Sequence, residues 1–286
     1  MNINYQLFKA LALSLFLFHM TSSNAMLKAL NTAATGMAAM ETNVNTISQN
    51  IANLNTIGFK KSRTEFEDLL YETQVVAGSR SSNNSRYNVG IQIGSGSKVS
   101  AIRKEFTPGS PIITNRPFDL MVNGEGFFGI ILPNGTIQYT RDGAFNVNAQ
   151  GQFVSKNGYK IFPSVTLPPG TLSVNISETG NVEAYMKGQL EPSAIGVIPI
   201  FTFINPVGLR AQGGNLYSIT KSSGQAIQNI PGENNAGSIV QGSLESSNVS
   251  VMNEMTGLIK AQRAYEMNAK VMGIADQMLQ TINNIR

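Results

Sequence analysis

Three carboxylates, Asp119, Glu125 and Asp142, fall within one turn-rich stretch of this 286-residue chain. Two carboxylates are enough for glycoside hydrolysis, and no other constellation in the chain offers that chemistry. Spaced as these are among Gly and Asn, carboxylates more commonly solvate turns, and no catalytic residue is assigned. Asp142 precedes Gly143, where an Asp side chain supports a turn by bonding to nearby backbone; Arg141 beside it is read as equally structural. Asn123-Gly124-Glu125-Gly126 lacks the Lys and Ser/Thr of a phosphate-binding loop. The chain has no cysteine and one histidine, His19, inside an N-terminal apolar stretch. Once that stretch is set aside, disulfides, Cys/His zinc sites, Ser-His-Asp triads and Cys-His pairs are excluded by residue type. No cofactor and no metal site are expected.

Charged residues make up 13% of the chain, about half the ~25% usual for soluble domains. Thirty Asn, 27 Gly and many Ser and Thr fill the surface instead. They hydrate it without making it repel copies of itself, which suits self-association. The 21 basic residues exceed the 17 acidic ones by four, but they do not cluster with aromatics as a nucleic-acid groove requires, so no nucleic-acid partner is expected.

Residues 1–25 contain one Lys, an apolar run from Ala10 to Phe18, and a polar end at Ser23-Asn24-Ala25. This is the layout of a secretory signal cut before Met26. The other reading takes Met26 as the initiator and the preceding segment as a mis-assigned start. The apolar run is shorter than the ~20 residues of a membrane span, so no stable membrane insertion is expected.

From Met26 the apolar residues take a heptad period. Met26, Ala33, Met40, Ile47 and Leu54 form one set, and Leu30, Met37, Val44 and Ile51 the other. Gly58 is expected to end this helix, with Lys60, Lys61 and Arg63 beside its carboxyl end. At the far end Val251, Leu258, Tyr265, Met272 and Leu279 recur every seven residues, joined by Met255, Ala261, Ala269, Ala275 and Ile282 on the same stripe, and Asn248 or Ser250 is a candidate cap. Between them the period falls to two. Asn134-Gly135, Asp142-Gly143, Gln150-Gly151 and Asn157-Gly158 supply the turn chemistry of a meander of short strands. The expected fold is α+β: long terminal helices pairing as a coiled coil, with a central all-β domain of short antiparallel strands. The expected divisions are 1–25, a helix over 26–60, an extended connection over 61–95, the β-domain over 96–241 and a helical segment over 242–286. The assembly seam is expected at Leu30, Met37, Val44, Ile47, Ile51, Val251, Leu258, Tyr265, Met272 and Leu279.

These residues resemble the bacterial flagellar basal-body rod family. The run Asn50-Ile51-Ala52-Asn53-Leu54-Asn55-Thr56-Ile57-Gly58-Phe59-Lys60 is similar to its signature, carried by Asn50, Ala52, Asn53, Thr56, Gly58, Phe59 and Lys60. Phe118 to Phe128, Tyr139 to Phe145, Gly242 to Val249, and Gln262-Arg263-Ala264-Tyr265-Glu266-Met267-Asn268 are similar to further family motifs in the same order. Gly90 to Gly96 resembles the distal-rod branch; the proximal-rod branch is the second reading, and a secreted β-rich binding or adhesion module the alternative of another class. Phe118 and Met121 depart from the family pattern, and Tyr71 to Ser85 matches it poorly. The resemblance implies a self-assembling, non-enzymatic subunit of the drive shaft that carries torque across the periplasm to the hook. Implied partners are copies of the chain in a helical tube, neighbouring rod and hook subunits, the P- and L-ring bushing proteins and the flagellar export apparatus.

Overall fold

The computed structural model describes residues 3–82, 85–188 and 191–284, with side chains described from Met26 onward except at 81, 82, 85 and 283. The export-signal reading rests on residues whose side chains lie outside the described ones. An N-terminal helix, α1 (Ile3–Ala52), and a C-terminal helix, α2 (Val251–Asn284), enclose a β-rich middle of short antiparallel strands. The chain folds as two compact units.

The first unit contains α1 as far as Ser48, residues 63–103 and α2 from Met252. Here α1 and α2 are in close contact. A Cβ added to Gly36 would lie 2.8 Å from the Asn268 amide nitrogen, and one added to Gly257 would lie 3.4 Å from Cδ1 of Ile47. From Gly36 to Ile47 α1 advances 11 residues, while from Asn268 to Gly257 α2 runs back 11, so the helices are antiparallel. The stretch read as an extended connection is made of paired strands: Ser62–Asp68 with Ser97–Lys104, and Tyr71–Val75 with Ile91–Gly94. Lys28 on α1 forms an ion pair with Glu72.

The second unit holds residues 49–62 and 104–251. Its largest sheet runs in the order Phe145–Val147, Phe153–Ser155, Lys160–Phe162, Phe128–Ile131, Ile137–Thr140, Leu216–Ser218, Arg210–Gly213. The Asn134-Gly135 hairpin forms as its sequence predicts, with Ile131 opposite Ile137 and Phe128 opposite Thr140. Gly135, Gly151 and Gly158 all have positive φ, the backbone region that tight hairpins require. Asp142-Gly143 does not behave this way. Gly143 has ordinary φ and lies so close to the Leu120 carbonyl that no Cβ fits, so its small size serves a backbone crossing rather than a hairpin. Phe128, Phe145, Phe153, Ile161, Ile198, Ile200 and Leu120 are fully buried in one core. A second, aromatic cluster packs Phe127, Tyr139, Phe201 and Tyr217 edge to face with Phe106 and Phe203.

Candidate functional site

Two features of the molecule invite function: the faces of the terminal helices, and a buried charge cluster built from the sequence motifs.

On α2 the residues turned inward recur at three- and four-residue steps. Ala261 and Ala275 are buried, and Leu258, Ala264, Asn268, Met272 and Leu279 are half-buried. At 100° per residue, a second apolar stripe falls roughly on the opposite side. It comprises Met252, Met255, Ile259, Met267, Val271, Ile274 and Met278, each 44–76% exposed. On α1 Ile47 is buried, while Leu30, Met37, Val44 and Ile51 are half-buried. Val251 and Tyr265 are exposed, at 48% and 42%. Of the residues that the sequence places on the same stripe as the seven-residue set, Ala261 and Ala275 are buried, whereas Met255 and Ala269 are exposed; the outward residues are not distinguished by that count. Methionine and isoleucine recurring from Met252 was the signal for the outward residues.

The charge cluster lies in the second unit and joins three segments far apart in the chain. Helix α1 ends at Ala52, before the expected Gly58, and a turn follows in which the amide of Asn53 donates to Gln49 O and the Asn53 side chain accepts from Thr56 Oγ1. Ala52 is exposed. The Asn50 amide mimics a strand partner: its Nδ2 donates to Ser62 O and its Oδ1 accepts from Ser62 N, at 2.8 and 2.9 Å. Gly58 adopts φ +67°, donates its amide to Glu245 O at 2.8 Å, and a Cβ there would strike the Arg141 backbone. Phe59 is buried beneath the Lys104 ammonium, 5.2 Å from the ring centroid.

Lys60 corrects the sequence expectation most clearly. Rather than accompanying a helix terminus, its side chain is fully buried, with Nζ 2.6 Å from Glu245 Oε1 and 2.7 Å from Thr107 O. Glu245 is also fully buried, and Oε1 accepts a second bond from the Gly109 amide at 2.9 Å. Arg141 lies on its other side. The guanidinium donates to Gly124 O at 2.8 Å and Val122 O at 3.3 Å, comes within 3.5 Å of Glu245 Oε2, and stacks 5.2 Å over the Phe127 ring. Two buried cations thus share one carboxylate. Asn248 is not a helix cap: its Oδ1 accepts from Lys61 N and its Nδ2 donates to Glu105 O, both at 2.8 Å. Lys61 pairs with Glu105 at 3.0 Å and Arg63 with Glu65 at 3.5 Å.

Burial, followed by the nearby Arg141 charge, lowers the Lys60 ammonium to about 8 despite the opposing pull of Glu245. Burial also lowers Arg141 and pushes the Tyr217 hydroxyl up to about 12. An unfolded Lys holds its proton to about 10.4. Between pH 8 and that value the unfolded chain therefore binds more protons than the folded one, and the Lys60 contribution to stability rises with pH. Urea unfolding of the wild type and Lys60→Met at pH 8 and 9.5 should show the wild type gaining about 1–2 kcal/mol relative to the variant. A pH-independent difference would mean that Lys60 stays charged throughout.

The carboxylates first considered for catalysis have structural surroundings. Asp142 accepts the Ala144 amide at 3.1 Å and pairs with Lys156 at 2.7 Å, which is the turn role its sequence predicts. Asp119 is fully buried, with the exposed Arg116 3.8 Å away; Glu125 is exposed. A cleft beside Asp142, between Thr140, Ser155, Lys156 and Tyr159, is lined by neither of the others. Among the described residues no group of three or more acidic, His or Cys side chains is arranged to hold a metal ion, and no helix is long and apolar enough to cross a membrane.

Three family models match the chain: "Flagella basal body rod protein" over residues 30–60, "Flagellar hook protein FlgE/F/G D1 domain" over 121–184, and "Flagellar basal body rod FlgEFG protein C-terminal" over 240–285. The flagellar basal-body rod protein FlgG of Caulobacter vibrioides is 45% identical over 261 residues, spanning 91% of this chain and all of that protein. FlgG of Borreliella burgdorferi is 44% identical over 263 residues, 91% of this chain and 99% of that protein. The flagellar hook-basal body complex protein FlhP of Bacillus subtilis is 33% identical over 276 residues, again 91% of this chain and all of its relative.

Proposed function

Because the chain belongs to the flagellar basal-body rod family, as a FlgG-type structural subunit of the distal rod, we propose that its copies stack through their terminal helices into the shaft that carries torque to the hook. The observation that carries the packing is the outward stripe on α2. Seven apolar side chains stand in water in the lone chain, with the exposed Lys260, Arg263, Glu266 and Lys270 among them, and apolar side chains gathered on one exposed helix face suit an interaction surface. In an open helical array each subunit offers one face to a different face of the next, so a helix with apolar residues on two sides suits a tube wall. We infer that α1 and α2 pair as a coiled coil within this wall, with the ten seam positions from Leu30 to Leu279 shared between the pair and its neighbours. The low charge supports the same reading, since stacked copies accumulate little repulsion.

The FlgG relatives favour the distal over the proximal branch, and no observation favours a secreted adhesion module. The subunit is proposed to be non-enzymatic, with P- and L-ring proteins and the export apparatus among its partners and Met26 as the first residue of the packed form. Deleting the gene should leave cells non-motile, with basal bodies that end before the distal rod, and re-expression should restore both. Basal bodies of normal length in the deletion strain would overturn the assignment.

A further inference from the structure

Heptad stripes leave one question open. Two helices with seven-residue apolar periods match almost as well after one slides past the other by seven residues. On α2 the stripe that faces α1 reads Ala261, Asn268, Ala275 at that interval, with both alanines buried. Apolar burial alone therefore cannot choose the alignment. The tighter of the two glycine contacts in this alignment is Gly36 against Asn268, where the amide group occupies the space of the missing side chain: a Cβ at Gly36 would lie 2.8 Å from Nδ2 and 3.3 Å from Cγ of Asn268.

We propose that Gly36 and Asn268 are the positioning pair that sets the register of α1 against α2. A slide of one heptad brings Asn268 opposite Asn43 or Ala29, each of which has a side chain where Gly36 has none. Gly36 then faces Ala275 or Ala261, leaving a gap between two small residues. Crowding on one side and a void on the other both destabilise the slipped state, and a polar residue in a helical seam selects register in the same manner. The pair also gives a structural role to Asn268, the final residue of the Gln262 to Asn268 run. The register in turn decides which residues of α2 stay turned outward for neighbouring subunits, so the inference extends the rod reading above.

The chain contains no cysteine, so introduced pairs report register without background. In flagellated cells carrying the full-length chain, Ile47→Cys/Gly257→Cys reports the observed alignment, because a side chain added at Gly257 would reach to 3.4 Å from Cδ1 of Ile47. Ile47→Cys/Ala264→Cys reports a one-heptad slide. On mild oxidation the first pair should form the intramolecular disulfide and the second should not. Adding Asn268→Ala should shift the ratio toward the second pair by tenfold or more. Gly36→Leu should reduce the first disulfide and swimming about tenfold, and Gly36→Leu with Asn268→Ala should restore both to within twofold, because large and small have merely changed sides. An unchanged ratio in Asn268→Ala, or no rescue in the double variant, overturns the proposal. The disulfide ratio reads the chain itself and swimming reads its place in the rod, so failure of the register idea is distinguishable from failure of the rod assignment.

Discussion

Replacing Glu245 by Leu should remove about 3–5 kcal/mol of stability, the range found when one partner of a buried ion pair is lost. Lys60 and Arg141 would remain buried with no anion between them, and the Gly109 amide would lose its acceptor. A loss of that size is a large share of the ~5–15 kcal/mol that holds a domain folded. Glu245→Gln, which keeps an acceptor but not the charge, should fall between Leu and wild type. Combining Glu245→Leu with Lys60→Met should cost less than the two changes added separately, because the second removes a cation that the first has stranded. Glu67→Gln, at an exposed pair with Lys98, should leave the unfolding midpoint nearly unchanged, because water already screens that pair. Urea titration of the purified chain reads all of these. Strict additivity between positions 60 and 245 would show that the two side chains are not energetically coupled.

Ile274→Asp should abolish rod assembly while leaving the chain folded. Ile274 is 44% exposed on the outward stripe of α2, and a surface change of this kind alters stability by about 0.5 kcal/mol or less. In the assembled shaft the same carboxylate would be buried between subunits without a partner, at a cost of several kcal/mol repeated at every copy. Met267→Asp, seven residues earlier on the same helix and 63% exposed, should behave alike. Ala261→Asp is the contrasting change: Ala261 is 2% exposed on the inward side, so a carboxylate there should separate α2 from its own chain and lower the unfolding midpoint before assembly is attempted. Motility, electron microscopy of basal bodies and a urea midpoint on the same three variants separate the two faces. Normal rods from Ile274→Asp would exclude the outward stripe as an assembly surface.

Much of the architecture is legible in the sequence because its causes are local. Periodicity of seven at both ends implies the helices, and Asn134-Gly135 implies the hairpin that pairs Phe128–Ile131 with Ile137–Thr140. Residue types alone remove thiol chemistry, and imidazole chemistry as well once the stretch holding His19 is set aside. The misread positions are those whose partners are remote. Lys60 follows a helix and looks like a cation placed at its end, yet its partner is 185 residues further along. Asn248 precedes a helix and looks like a cap, yet its side chain serves the backbone at Lys61 and Glu105. Gly143 follows Asp as hairpin glycines do, but it is small to let the Leu120 carbonyl pass.

By itself, then, the sequence determined the kinds of element, their order, the surface suited to self-association and the chemistry that is absent. These depend on residue type and short spacing, which a linear chain displays directly. Only the tertiary structure decided that Lys60, Arg141 and Glu245 form one buried cluster, that α2 is apolar on two sides, and that Gly36 receives Asn268. Each of these depends on which distant segments come within a few ångströms, and a charge or a gap has no energetic meaning until its neighbours are known.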